Sequence, residues 1–193
     1  MTDTISFADK PTLIGELVVL RPMTETDIPA VMASLADAEV MRFTGTHRRF
    51  TAAEVTATLR AWAGRDDRID LAVVERATGR YAGEAVLNEL DGDNQSCSFR
   101  IALTSDHTNR GLGTEATRLI LGHAFDTVGV HRVELDVYSF NPRARRVYEK
   151  VGFVYEGTKR HALRWNGEWV DAYVMAMLAD DWSAHRVLSG QRP

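Results

Sequence analysis

Three strand-like stretches in succession, Ile69–Glu75, Tyr81–Leu90 and Cys97–Leu103, restrict the fold of this chain more than any other feature. Thr78-Gly79 and Asp91-Gly92-Asp93-Asn94 separate them, and both are hairpin signals, since Gly, Asp and Asn accept the backbone that tight reversals need. The three form an antiparallel meander. Upstream, Leu17–Leu20 reads as a short strand ended by Arg21-Pro22. Asp27 is placed to cap a helix whose Ile28, Val31, Met32 and Leu35 follow the i, i+3, i+4, i+7 rule. A second helix opens at Thr51 with a capping box through Glu54, and Val55, Leu59 and Trp62 give it an apolar face. Downstream come a helix over Thr114–Thr127, with Ala116, Leu119, Ile120 and Ala124 on one side, and a strand at Arg132–Tyr138. A helix at Pro142–Val151 follows, then two strands joined by Asn166-Gly167, a type I′ hairpin signal. The order β-α-α-β-β-β-α-β-α-β-β predicts an α/β fold, a single domain over residues 1–193. Its central sheet is mixed, mostly antiparallel and flanked by helices. Residues 1–11 read as a polar tail, and 180–193 as a C-terminal tail adding a helical turn or two.

The net charge of −4 and pI near 5.9 argue against a nucleic-acid partner, which favours a basic excess. They lean slightly toward a cationic substrate such as an amine. The single cysteine, Cys97, excludes an internal disulfide and reads as a small buried thiol. His47, His107, His123, His131, His161 and His185 are scattered, so no metal site is expected. The longest apolar run, Ala172–Ala179, is too short to cross a bilayer, and Met1–Pro11 lacks the order of a signal peptide. A cytoplasmic protein without membrane attachment is the expectation.

Asn109–Thr114 follows the last strand of the meander and opens a helix. Its two glycines let the backbone approach a ligand closely, and N–H groups converge at the positive end of the helix dipole. Such a nest suits an anion, and a diphosphate best. Arg110 adds a charge at the rim. An ordinary glycine turn satisfies the same pattern. So, formally, does a dinucleotide fingerprint, since Gly111-Leu112-Gly113-Thr114-Glu115-Ala116 matches G-x-G-x-x-A with Glu134 downstream. The context opposes the fingerprint: Thr104–Arg110 intervene before the first glycine, and hairpins precede it instead of parallel βαβ units.

Taken in order, these segments resemble the GNAT superfamily of N-acetyltransferases. Their phosphate loop reads Q/R-x-x-G-x-G/A, with which Thr108-Asn109-Arg110-Gly111-Leu112-Gly113 aligns, Thr108 standing in place of Arg or Gln. The segment Asn141–Phe153 resembles N-x-x-A-x-x-x-Y-E-K-x-G-F nearly throughout. Glu156-Gly157, Arg160, Asn166-Gly167 and Asp171 resemble the RimJ/RimL branch, which acetylates protein N-termini and often has Ser where this chain has Ala144. The likeness runs from about Leu17 to Trp182 and implies a GNAT-like fold. It also implies acetyl transfer from acetyl-CoA to a primary amine, without an acyl-enzyme and with coenzyme A as product. A peptide or protein N-terminal α-amine leads as acceptor. Polyamines, aminoglycoside-like antibiotics and amino-acid derivatives are the alternatives, and a non-catalytic acyl-CoA-binding module is the alternative outside enzymes. A homodimer stays open.

The resemblance implies that Thr108, Asn109, Arg110, Gly111, Leu112, Gly113 and Thr114 cradle the diphosphate. It places the pantetheine arm along Ile101, Ala102 and Leu103, and gives Asn141 a cofactor contact beside its role as an N-cap before Pro142. Arg145, in the basic run Arg143, Arg145, Arg146, is a candidate for the adenosine phosphates, although a solvated helix face explains the run equally. Tyr148 is the implied acid for the departing thiolate; by pattern alone it belongs to a core stripe with Ala144, Val147 and Val151. Glu134 is the candidate base, from the carboxylate face of a strand whose Val133, Leu135 and Val137 alternate with it. Glu84 and Glu89 are its rivals. Trp165 and Trp169 flank the late hairpin and stand as candidate walls of the acceptor site.

Overall fold

The structure, a computed structural model, describes residues 5–188. The first half holds β1 (Leu13–Ile14), β2 (Val18–Pro22), a 3₁₀ turn (Glu25–Asp27), α1 (Ile28–Ala36), α2 (Ala38–Thr44) and α3 (Ala52–Ala63). The meander is β3 (Ile69–Glu75), β4 (Tyr81–Asp91) and β5 (Ser96–Leu103). Then come α4 (Leu112–Gly122), continued by a π-helical turn (His123–Val128), β6 (Arg132–Tyr138) and α5 (Pro142–Val151). A hairpin of β7 (Val154–Trp165) and β8 (Glu168–Leu178) and a last helix α6 (Ala179–Leu188) complete the described chain. No helix among the described residues is long and apolar enough to cross a membrane.

The strands form one mixed sheet in the order β1-β2-β3-β4-β5-β6-β8-β7, antiparallel throughout except between β5 and β6. That parallel pair is short. Ser96, Cys97 and Ser98 oppose Arg132, Val133 and Glu134, and there the ladder ends. Phe99–Leu103 stay paired with β4 on their other side, so β5 and β6 splay apart.

Because side chains alternate across a strand and paired residues share a face, the register divides the sheet into two unlike surfaces. Leu71, Ala85, Leu87, Cys97, Phe99, Val133, Leu135, Met175 and Met177 are buried on one face and join Ala116, Ile120, Leu121, Tyr148 and Val151 of α4 and α5 in the core. The other face carries Asp70, Glu84, Asn88, Ser98, Arg100, Glu134 and Asp136, on the side of α1, α2 and α3.

Local chemistry sets the element ends. Thr51 and Glu54 make the expected reciprocal cap of α3, and the Asn141 side chain accepts from the Ala144 N–H at 3.1 Å to start α5. Asn166 (φ +49°) and Gly167 (φ +89°) make the β7–β8 reversal in the left-handed region. Asp27 departs from expectation. Its carboxylate binds the Arg21 guanidinium through both oxygens (2.8 and 2.7 Å) and accepts from the Thr24 N–H, so it closes the 3₁₀ turn and does not cap α1. The short helix α2 was not foreseen; Asp37 caps it by accepting from the Glu39 and Val40 N–H groups. Helix α4 starts at Leu112, two residues before the expected Thr114, with Gly111 in the cap position. The described parts of both expected tails pack onto the fold. Phe7 is fully buried, the Lys10 ammonium donates to three backbone carbonyls, and Trp182 of α6 stacks on Phe125 at 5.8 Å. Residues 1–4 and 189–193 of the expected tails lie outside the described residues.

Candidate active site

The gap between β5 and β6 opens into a cleft of about 800 Å³. The glycine turn contributes Thr108, Asn109, Gly111, Gly113 and Thr114; α5 contributes Asn141, Ala144, Val147 and Tyr148. Ile101, Ala102 and Leu103 line it from the unpaired edge of β5, and Phe43, Phe50 and Trp62 from α2, α3 and the loop between them. The N-terminal end of helix α2 is tied across it twice: the Asp37 carboxylate takes the Ser105 hydroxyl, and Glu39 pairs with Arg143 of α5 at 2.8 Å.

In the turn, Asn109 (φ +59°) and Gly111 (φ +81°) are both left-handed, which bends the chain into the N-terminus of α4. The N–H groups of that first helical turn have no acceptor within the helix. At Gly111 an L side chain would meet the φ penalty, and a Cβ at Gly113 would sit 3.2 Å from Leu103 Cδ1. Gly113 thus brings α4 close onto β5 as well as leaving room for a ligand. Backbone donors, a helix terminus and an adjacent strand edge with unpaired amides fit a diphosphate followed by an amide-bearing arm.

Four residues expected to meet the cofactor have other contacts. The Arg110 guanidinium is held by the buried carboxylate of Glu75, which also takes the Thr78 hydroxyl at 2.7 Å. Thr78 first, with Arg110 adding, holds Glu75 below the usual carboxylate range. Arg110 therefore anchors the turn from behind. Leu112 is buried in the core beneath it. Arg145 pairs with Glu149 at 2.8 Å and lies over the Tyr173 ring at 4.7 Å, turned toward β8, and Arg143 lines the cleft in its place. Thr108 lines the cleft, but its hydroxyl donates to the Ser105 carbonyl at 2.9 Å.

Tyr148 is both packed and at the cleft. Its ring meets Phe99 and Phe153 edge-on, at 6.3 and 5.9 Å between centroids. It is 6% exposed, its hydroxyl bonds no described residue, and burial keeps its acidity weaker than that of a free phenol. Cys97 is buried in the same core, with its thiol pushed up to about 12 by burial and then by the Glu134 charge.

The three candidate bases differ in their company. Glu134 stands where the ladder ends, but Arg132 binds it at 3.0 Å while also gripping Glu156 at 2.7 Å. The Glu134 carboxylate is thus engaged by a guanidinium at the point where the gap begins. Glu89 is exposed and accepts the Ser98 hydroxyl at 2.7 Å. Glu84 lines the cleft and stands 3.6 Å from Arg100; burial pushes its carboxyl above the usual range, against the opposing pull of Arg100. Neither late-hairpin tryptophan reaches the cleft. Trp165 packs on His47 and Trp169 on His161, beside a smaller depression with Arg42 and Phe140. Trp62, an expected core residue of α3, lines the cleft instead.

A sheet that parts at its one parallel pair, with an anion-binding helix terminus feeding the gap, defines the class of acyl-CoA-dependent N-acyltransferases. Comparison with known families makes this particular: the acetyltransferase (GNAT) domain model matches residues 18–154. The chain belongs to the GNAT acetyltransferase family and is, by family, an N-acetyltransferase that uses acetyl-CoA.

Among curated relatives, a probable N-acetyltransferase of Bacillus subtilis, YjcK, is 32% identical over 118 residues, 61% of this chain and 65% of its own length. The spermidine N(1)-acetyltransferase of Escherichia coli K12 is 26% identical over 125 residues, 65% of this chain and 67% of the relative. These matches span about two thirds of each relative's length. The L-amino acid N-acetyltransferase AaaT of Escherichia coli K12 is 44% identical over 79 residues, covering 40% of this chain and 48% of AaaT. Among solved structures, the spermidine N-acetyltransferase of Vibrio cholerae in complex with CoA and spermine superposes with a TM-score of 0.82 at 20% identity. That match covers 88% of this chain and 99% of the other, and at this identity it speaks for the fold alone.

Proposed function

We propose that the chain moves acetyl from acetyl-CoA directly to a primary amine, and that the amine is the N-terminal α-amine of a peptide or protein, as in the RimJ/RimL branch it resembles. The splay carries this reading: only a gap between β5 and β6 lets a thioester arm pair with one strand edge while an amine approaches from the polar face. In this reading the backbone of Asn109–Thr114 holds the diphosphate, Ile101–Leu103 pair with the arm, and N–H groups along β5 stabilise the oxyanion. Asn141 keeps its side-chain nitrogen for the cofactor while its oxygen caps α5. Tyr148 gives the proton to the departing sulfur. Glu134, held by Arg132, helps orient the amine and does not take its proton.

The charges favour a monocationic acceptor over a polyamine. Asp136 is paired with Lys159 at 2.6 Å, Glu134 with Arg132 and Glu39 with Arg143, which leaves few free carboxylates to hold several ammonium groups. A putative ribosomal N-acetyltransferase of Bacillus subtilis, YdaF, 27% identical over 108 residues, fits the same reading. The proposal includes a cytoplasmic location. It also includes a homodimer, for which β7, the outer strand with Val154 and Tyr155 exposed, offers a pairing edge that sedimentation would test.

Thiol release from acetyl-CoA, measured against N-terminal peptides, spermidine and free amino acids, tests the acceptor. Peptides should be the best substrates by kcat/KM. Spermidine or an amino acid as the best substrate rejects the peptide assignment, and failure to turn over with any amine rejects catalysis.

A further inference from the structure

We propose that Glu84 is the general base of this site and takes the proton of the acceptor amine from above β5; this rests on the acetyl-transfer reading given above. Glu84 pairs with Ala102, so both side chains rise from the polar face, one strand away from the free edge of β5. Adjacent strands lie about 4.8 Å apart, within the span of a glutamate side chain. Ala102 presents only a methyl group, so no bulky side chain at that pair blocks the way to the gap. The 3.6 Å approach to Arg100 shows the carboxylate already leaning over β5, and both residues line the cleft with Tyr148.

Other acids at the cleft have closer partners. Glu134, Asp136 and Glu39 lie 3.0, 2.6 and 2.8 Å from Arg132, Lys159 and Arg143. Arg100 is more loosely placed against Glu84 and is 54% exposed, so an arriving ammonium can displace it. The remaining groups facing Glu84 are Tyr81 on its own strand, Asp70 on β3 and Arg68 just before it, the last two paired at 2.6 Å. Burial raises the proton affinity of Glu84, with Arg100 opposing and Asp70 adding. A carboxylate so placed is a stronger base than one in water.

The step balances without an oxidant or a further reactant. Glu84 accepts one proton from the ammonium, and the freed lone pair attacks the acetyl carbonyl carbon to form the C–N bond. Collapse of the adduct breaks the C–S bond. Tyr148 protonates the sulfur and regains a proton from the nitrogen, while Glu84 releases its own to solvent. Amide, thiol and one solvent proton result.

The test is the pH profile of Glu84→Gln with the best amine acceptor, alongside acetyl-CoA affinity by calorimetry. We expect unchanged affinity and a kcat reduced about 100-fold or more near pH 7. The deficit should shrink above about pH 8, where solvent supplies the neutral α-amine. Unchanged kcat, or an equal deficit at every pH, overturns the assignment. If Glu84→Gln no longer binds acetyl-CoA, Glu84→Asp decides. A retained acidic limb with a shifted midpoint supports the base, and a profile without that limb, or a protein as inactive as the Gln variant, overturns it. Failure of the wild type with every amine would instead reject the acetyl-transfer reading.

Discussion

Replacing Tyr148 with Phe separates chemistry from packing at one atom. The ring sits edge-on to Phe99 and Phe153, and Phe keeps those contacts. The hydroxyl bonds no described residue, so its loss strands no partner, and stability should change by less than about 1 kcal/mol. Catalysis should respond far more. A positioned acid contributes about 10²–10⁴-fold, which at 1.36 kcal/mol per tenfold is about 2.7–5.4 kcal/mol of barrier. Because burial raises the phenol's pKa above its ordinary value near 10, the acid stays protonated through alkaline assays. The wild-type kcat should therefore show no descending limb from Tyr148 below about pH 10. Single-turnover thiol release, with chemistry rate-limiting, and a thermal melt of the same protein give the two readouts. An unchanged single-turnover rate refutes the acid. So does a rate loss matched by a fall in melting temperature of many degrees, which would make Tyr148 a core residue only.

Four further outcomes follow from the geometry. Asp27 is held below its ordinary pKa, first by Arg21, so its contribution is present above the unfolded value near 3.9 and disappears as pH falls through the folded one. Asp27→Asn should cost about 1–3 kcal/mol at pH 7 in urea unfolding and show a shallower loss of stability on acidification; an identical acid slope would contradict this. At Gly83 a Cβ would fall 2.1 Å from the Ala102 carbonyl oxygen, so Gly83→Ala should cost more than about 3 kcal/mol and impair soluble expression; wild-type stability would contradict the β4–β5 register. The Cys97 thiol, pushed up to about 12, should resist alkylation in the native protein, and Cys97→Ala should keep the wild-type kcat; rapid labelling with loss of activity would contradict it. Glu75→Gln should loosen the Arg110 anchor and raise KM for acetyl-CoA several-fold with little change in kcat, a split that steady-state kinetics reads directly.

Much of the sheet was legible because its signals are local. The meander follows from two hairpin turns, α5 from Asn141 and Pro142, and the last hairpin from Asn166-Gly167. Helix α2 escaped because its seven residues hold too few turns to establish a period, and Asp37 and Gly45 make the flanks resemble a loop. The splay leaves no local signal, since alternation is the same in Phe99–Leu103 whether or not β6 continues alongside. Ion pairing was the least accessible. Arg132 precedes Glu134 by two on one strand face, a signal the sequence did contain, but Glu156 arrives from β7 and Glu75 meets Arg110 across 35 positions. Such partners appear only once the strands are placed.

Initial rates with acetyl-CoA and the best amine varied together test the central claim most directly. Direct transfer through one cleft predicts intersecting double-reciprocal lines, with acetyl found on the amine and none on the protein. Parallel lines with an acetylated protein intermediate would contradict it.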